Sequence, residues 1–382
     1  MLRRFKKAVE KKKACVVWLG GSLTEGEGAS APCFCWQALL AGWMKEVFPK
    51  CSFDFHNKGI GGTNSEFGLY RLKRDVLQYR PDLVFVEFAV NDYAGDPERI
   101  REDMEGIVEN IREALPETDI VLVLNTTVKM AEENYDKGQI PESVRVHQET
   151  AEKYGLPVIR VGEAFLAFVR ENGRQRTDFL PDQVHPNDQG YRIYFSIIRK
   201  AMEELLNAPC DPQRHACRRL SPPGGLSEGS APQNHAAKRL CPKRRLKDSR
   251  LVHALEEEAE GFRLLAAEGF RKERIALCGR EQGYLSSDIP GSRLEISFSG
   301  TSFGLVWMIA PDSGRISVSI DAGEKQVFSS WDSYAPRRER INHKMLADNL
   351  PAGMHTVRIE VEPEHDGQSL GTFIRIGDWL IG

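Results

Sequence analysis

The chain has 382 residues, in which 52 lysines and arginines face 55 aspartates and glutamates for a formal net charge of −3. That length exceeds one ordinary compact core and predicts two domains, while the near balance of charge argues against a general polyanion binder. An apolar share of 41% fits an ordinary globular protein, and no apolar run is long enough to cross a bilayer as a helix, so neither nucleic acid nor membrane is expected as a partner.

The first thirteen residues are basic, like the start of a signal peptide, but the apolar stretch at 14–19 is too short and no small-residue cleavage site follows it. They read as a basic helix leading into a first strand. Eight cysteines at irregular spacing, without a secretory signal, predict reduced thiols and a cytoplasmic location. Cys15, inside that strand, reads as a small apolar packing residue.

Apolar runs at 15–19, 52–56, 83–88, 120–124 and 158–161 then alternate with helical patterns at about 34–48, 65–79, 97–114, 141–154 and 188–206. Strands alternating with helices predict right-handed crossovers and a parallel sheet covered on both faces, a flavodoxin-like three-layer α/β/α domain over 1–207. Residues 208–250 break the pattern with S-P-P-G-G-L-S-E-G-S and K-R-L-C-P-K-R-R-L-K, which predicts a flexible basic linker; no aromatic is interleaved for stacking on bases. Cys210, His215, Cys217, His235 and Cys241 in this stretch lack the C-x₂-C pairing of a zinc site, and neither metal nor cofactor is expected.

Over 251–382 a mixed lead-in precedes strand-like runs at 293–299, 303–309, 315–320, 325–330, 355–361 and 372–376, punctuated by P-D-S-G and D-A-G turns. Alternation such as L-E-I-S-F places one face on a core and one in water, which predicts an antiparallel β-sandwich.

Four short stretches of the first domain carry possible chemistry. W-L-G-G-S-L-T-E-G sets Ser22 at the carboxyl end of the first strand, where doubly wound folds bind ligands, although a serine there also serves as a turn or cap. Asn57-Lys-Gly-Ile-Gly-Gly-Thr-Asn64 follows the second strand, and its glycines let backbone N–H groups approach an anion; the full phosphate-loop pattern is absent. Leu83-Val-Phe-Val-Glu-Phe-Ala-Val-Asn91-Asp92 ends with an amide suited to an oxyanion or to a turn, and places Glu87 inside a strand, where it requires a local hydrogen-bond partner and takes no catalytic role. In Asp182-Gln-Val-His185-Pro, a carboxylate three residues before an imidazole can steady a general base.

In that order the blocks supply a nucleophile, oxyanion donors and a base, and the chain resembles the SGNH hydrolases, the GDSL esterase/lipase family. G-G-S-L-T matches the first block with Gly21 where many members have Asp, N-K-G-I-G-G-T the second, A-V-N-D the third and D-Q-V-H-P the last. The resemblance spans about 14–206. It implies Ser22 as nucleophile, His185 as general base, Asp182 as its orienting partner, and an oxyanion hole from Ser22 N–H, Gly62 N–H and the Asn91 amide, with Gly61 the alternative to Gly62.

The absence of a separate apolar lid points to small acyl groups, and Asn125 to Gly138 is either a pocket wall or a plain loop. The C-terminal runs look like the jelly-roll modules that accompany some carbohydrate esterases. Trp307, Trp331, Tyr334 and Trp379 are candidates for stacking on sugar rings, with core packing as the competing role. The expectation is a serine esterase that deacetylates sugars or oligosaccharides. The alternatives are a broad short-chain or lysophospholipase-like esterase and a catalytically inert carbohydrate-binding or scaffold protein. A homo-oligomer through the sandwich is a further expectation.

Overall fold

The computed structural model describes residues 2–208, 249–277, 280–337 and 339–382. The first helix, α1 (Arg3–Glu10), buries Phe5 and Ala8 and feeds β1 (Lys13–Gly20). Side chains alternate along β1: Val16 and Trp18 join the core on one face of the sheet, Val17 and Leu19 the core on the other. Because both faces are covered, the strand is an almost unbroken apolar run.

With β2 (Ser52–Gly59), β3 (Leu83–Glu87), β4 (Asp119–Val123) and β5 (Val158–Ile159), it forms a parallel sheet in the order β2-β1-β3-β4-β5. The helices α3 (Trp36–Val47), α9 (Val161–Glu171) and α10 (Asp188–Asn207) pack with α1 on one face. On the other lie α4 (Ser65–Tyr70), α5 (Leu72–Asp75), α6 (Pro97–Ala114) and α8 (Glu142–Tyr154). The short α2 (Ser22–Glu25) and α7 (Val128–Glu133) follow the ends of β1 and β4. This is the flavodoxin-like three-layer arrangement, and the order of its strands reverses between β1 and β3.

Two local expectations differ from what forms. The run at 158–161 pairs over only Val158 and Ile159, because Val161, Phe165 and Val169 recur at helical spacing and build α9. The helix expected over 65–79 breaks at Arg71, whose guanidinium turns inward to donate to Gly20 O at 2.9 Å and Lys58 O at 2.7 Å.

The second domain is an antiparallel sandwich. One sheet comprises β6 (Arg250–His253), β9 (Arg271–Leu277), β10 (Arg280–Ser287), β12 (Phe303–Ile309), β15 (Arg340–Ala347) and β17 (Ile374–Ile381). The other comprises β7 (Glu258–Ala259), β8 (Phe262–Glu268), β11 (Arg293–Gly300), β13 (Arg315–Ile320), β14 (Gln326–Ser329) and β16 (Gly353–Val361). Inward residues of β11, β13 and β16 meet Leu305, Trp307, Ile376 and Trp379 in a shared core. The mixed lead-in thus contains five strands, and β6 begins at Arg250, inside the stretch assigned to the linker. The remaining linker positions, 209–248, and with them the five cysteines and histidines weighed as a zinc site, lie outside the described residues.

The two domains share an apolar seam, in which Ile60, Phe67 and Tyr70 pack against Val306 and Leu380. Polar ties flank it: Tyr70 Oη lies 2.9 Å from Ser302 Oγ, Arg74 donates to the buried Asp378 at 3.0 Å, and Arg99 bridges Glu66 and Asp348 at 2.8 Å each. The seam is built on α4 and the segment before it, so the sandwich is fixed against one flank of the strand ends. No helix among the described residues is long and apolar enough to cross a membrane.

Candidate active site

The carboxyl ends of β1, β2 and β3 converge at the point where the strand order reverses, and each of the four blocks lies there. The chain leaves β1 through Gly20 and Gly21 and turns at once into α2, so that Ser22 is its first residue. Gly21 suits a position where the backbone runs against the Asn91 amide: a Cβ there would stand 2.1 Å from Asn91 Oδ1. Ser22 is 8% exposed, a hydroxyl set into the floor of the crevice.

His185 reaches that hydroxyl from the loop before α10. Its Nε2 lies 2.8 Å from Ser22 Oγ, and its Nδ1 lies 2.6 Å from Asp182 Oδ2. An ionised carboxylate only accepts, so Nδ1 carries the proton and donates; Nε2 is left with a lone pair, and the Ser22 O–H donates to it. Burial pushes Asp182 up, but hydrogen bonds from the His185 ring and from the His185 and Val184 N–H groups outweigh it and hold the carboxyl below its usual range. The loop is braced from two sides. Val128 N–H, the first of α7, donates to Gln183 O at 2.9 Å, and Asn187 caps α10 by accepting from Gly190 N–H at 3.0 Å. The Asn125 to Gly138 segment is therefore a helical brace for the Asp–His loop rather than a plain loop.

The two glycines differ in a contact that the sequence does not reveal. Gly61 N–H donates to Glu25 Oε2 at 2.8 Å, whereas Gly62, at φ +73°, makes no such bond among the described residues. Asn91 sets its side-chain Oδ1, buried and without a hydrogen-bond partner among the described residues, against Gly21. The next residue fixes it: Asp92 accepts from Ser65 N–H and hydroxyl at 3.0 and 3.1 Å and from buried His147 at 2.8 Å. Ser22, Gly62 and Asn91 thus stand on three separate strand ends tied together by buried polar contacts.

Beneath them, Glu87 accepts from Thr24 Oγ1 at 3.0 Å, the local partner its position required. Complete burial pushes its carboxyl up to about 8, against that hydrogen bond. Glu87 touches none of the facing groups.

Other residues at the site carry no sequence signal. Glu25, Arg71 and His147 act through contacts between distant segments. From the second domain, the first residue of β15, Arg340, brings its Cδ and Nε to 3.9 Å from where a Cβ on Gly62 would stand. It is paired with Asp332, and its guanidinium and that of Arg337 each lie 5.8 Å from the ring centre of Tyr334, which is 60% exposed. Of the four aromatics considered for sugar stacking, Trp307 and Trp379 are 3% and 0% exposed and belong to the sandwich core. Trp331 is partly buried against that core, which leaves Tyr334 as the exposed ring beside the site.

A parallel sheet in this order, with a serine, an Asp–His pair, a double glycine and an asparagine at its carboxyl ends, is the arrangement of the SGNH class of hydrolases. Residues 18–193 match the GDSL-like Lipase/Acylhydrolase family, and the chain carries a domain of that family. No curated protein matches the chain. Among solved structures, a two-domain esterase (CEX) active on acetylated mannans is similar over 100% of this chain and 95% of its own, with a TM-score of 0.76 at 20% identity. The same esterase co-crystallised with mannopentaose gives a TM-score of 0.74 at 20% identity over 99% and 94% of the two chains. The likeness extends through both domains.

Proposed function

We propose that the protein is a serine esterase that removes short acyl groups, acetyl foremost, from carbohydrates through an acyl-enzyme. The observation that carries this reading is the continuous line Asp182–His185–Ser22 at the carboxyl ends of the parallel sheet. Ser22 Oγ attacks the ester carbonyl while His185 Nε2 takes its proton, and Asp182 steadies the imidazolium that forms. The tetrahedral oxyanion is held by Ser22 N–H, Gly62 N–H and the Asn91 amide. Collapse breaks the bond to the sugar oxygen, which leaves with the proton from His185, and water activated by the same imidazole then releases the acid.

Two features favour a sugar ester over a lipid. The exposed Tyr334, set between Arg337 and Arg340 beside Gly62, offers a flat ring and fixed cations to a polar chain. A solved structure that resembles this chain through both domains belongs to an esterase active on acetylated mannans. Acetate release from acetylated manno- and xylo-oligosaccharides, compared with hydrolysis of p-nitrophenyl esters of rising chain length, tests the reading. Acetyl esters of sugars should be preferred, and the activity should vanish in Ser22→Ala; a preference for long acyl chains overturns it. Absence of fluorophosphonate labelling in folded wild type would instead identify an inert binding protein.

A further inference from the structure

The opposite end of the same sheet carries a second cluster of chemistry. Cys15 on β1 stands in register with Asp54 on β2, and His56 lies two residues further along β2, on the same face. The Cys15 thiol, an Asp54 carboxylate oxygen and a His56 ring nitrogen all lie within 4.8 Å of one another. His56 Nε2 is buried and, although 2.9 Å from Asp54 Oδ2, makes no hydrogen bond there, so a ring nitrogen is aimed into the cluster without a partner. The ring is held in place by stacking on Tyr79, with centroids 3.8 Å apart. Beside Cys15 and Asp54 opens a cleft of about 490 Å³ whose rim includes Lys7, Lys11, Lys13 and Arg80.

We propose that Cys15, Asp54 and His56 bind a late transition metal ion, Zn²⁺ foremost, with the cleft supplying its path to solvent. One thiolate, one imidazole and one carboxylate are the donors such an ion selects. A tetrahedral zinc site separates its ligand atoms by roughly 3.3–3.6 Å, so small side-chain rotations suffice to close the cluster on the ion. A single carboxylate beside a thiol and an imidazole offers hard cations such as Mg²⁺ and Ca²⁺, which need several oxygen donors, too few ligands. Three protein ligands leave a fourth position for water. Binding forms a metal–sulfur bond, breaks the Cys15 S–H bond and releases that proton to solvent; no electron changes hands. The ion clips the edge strand β2 to β1. Ser22 is seven residues along the same extended chain, about 20 Å away, so this site is separate from the esterase chemistry and does not depend on it.

The test is a titration of the full-length, reduced protein with Co²⁺. One equivalent should give a near-ultraviolet thiolate-to-cobalt charge-transfer band that Zn²⁺ displaces. Cys15→Ser should abolish the band. Asp54→Asn and His56→Ala, on a partly exposed edge strand and verified as folded by circular dichroism, should weaken binding at least about tenfold. A variant with Cys210, Cys217 and Cys241 all replaced by Ser should keep the band. The proposal is overturned if wild type gives no band, if the band survives Cys15→Ser, if the edge-strand variants bind as wild type does, or if the band disappears with the other three cysteines.

Discussion

His185 in the first domain and His355 in the second are both paired with an aspartate, and their geometry is nearly the same. His185 Nδ1 lies 2.6 Å from Asp182 Oδ2, and His355 Nδ1 lies 2.5 Å from Asp321 Oδ2. In each pair the other carboxylate oxygen accepts a backbone N–H, from His185 at 2.7 Å and from Thr356 at 2.8 Å. They differ at Nε2. His355 Nε2 faces Pro351 O at 2.7 Å, a carbonyl that only accepts, so both ring nitrogens of His355 must carry protons. Burial works against the charge, but the Asp321 carboxylate and the Pro351 carbonyl outweigh it and raise His355 above the usual histidine range. His185 Nε2 faces the Ser22 hydroxyl, which donates and leaves the lone pair available. Under the proposed function, an Asp–His pair is therefore a base or a charged clamp according to what stands on its far side.

The sharpest way to break this comparison is to remove each imidazole in turn. His185→Ala and Ser22→Ala should each lower kcat on the order of 10⁶-fold, and the double variant little further, since the two act as one unit. His355→Ala should retain acetate release. If it loses activity while remaining folded, the division between base and clamp fails.

The proposed oxyanion donors sharpen the same contrast, because in that reading they determine what the Ser22–His185 pair can stabilise. Asn91→Ala should lower kcat by about 10²–10³-fold with KM little changed, as expected for a donor used in the transition state. A rise in KM at unchanged kcat would place the Asn91 amide on the bound substrate instead.

Much of the candidate site is legible in the sequence because each candidate residue lies in a short block just past a strand or just before a helix, and both follow from apolar periodicity. The contact that ties up Gly61 N–H is not legible, since it depends on the Glu25 carboxylate reaching a loop thirty-six residues away. The same holds for Arg340, which arrives from another domain. In the sandwich, β12 and β13 stand out because they bury alternate or continuous apolar residues. The strand β9, R-K-E-R-I-A-L, is largely exposed and carries no such pattern, so it is recognised only by its pairing with β10. Trp307 and Trp379 show the converse: a large aromatic in a β-sandwich reads equally well as ligand platform or core, and burial decides.

Glu87 is a carboxyl with neither a cation nor an imidazole to stabilise its charge. Its proton is retained in the folded chain up to about pH 8 and lost in the unfolded chain near the ordinary value of 4.5. Between those values the folded state binds more protons, so this group lowers stability by about 1.4 kcal/mol per pH unit as pH rises. Urea unfolding at about pH 6 and about pH 8 should therefore show Glu87→Gln gaining on wild type by roughly 2 kcal/mol over that interval. A gap that does not change with pH would mean that Glu87 is already ionised beneath the nucleophile turn.

The clamp at His355 should behave in the opposite sense. Its pKa is raised on folding, so its contribution is fully present below the unfolded value near 6.5 and fades as pH rises through the higher folded value. His355→Gln should cost about 1 kcal/mol at mildly acidic pH, where the imidazolium meets Asp321 and Pro351, and the gap to wild type should narrow towards alkaline pH. Urea midpoints across that range measure it. A gap that instead widens with rising pH would mean that His355 is neutral in the folded chain, and the distinction from His185 would then have to lie in exposure rather than in protonation.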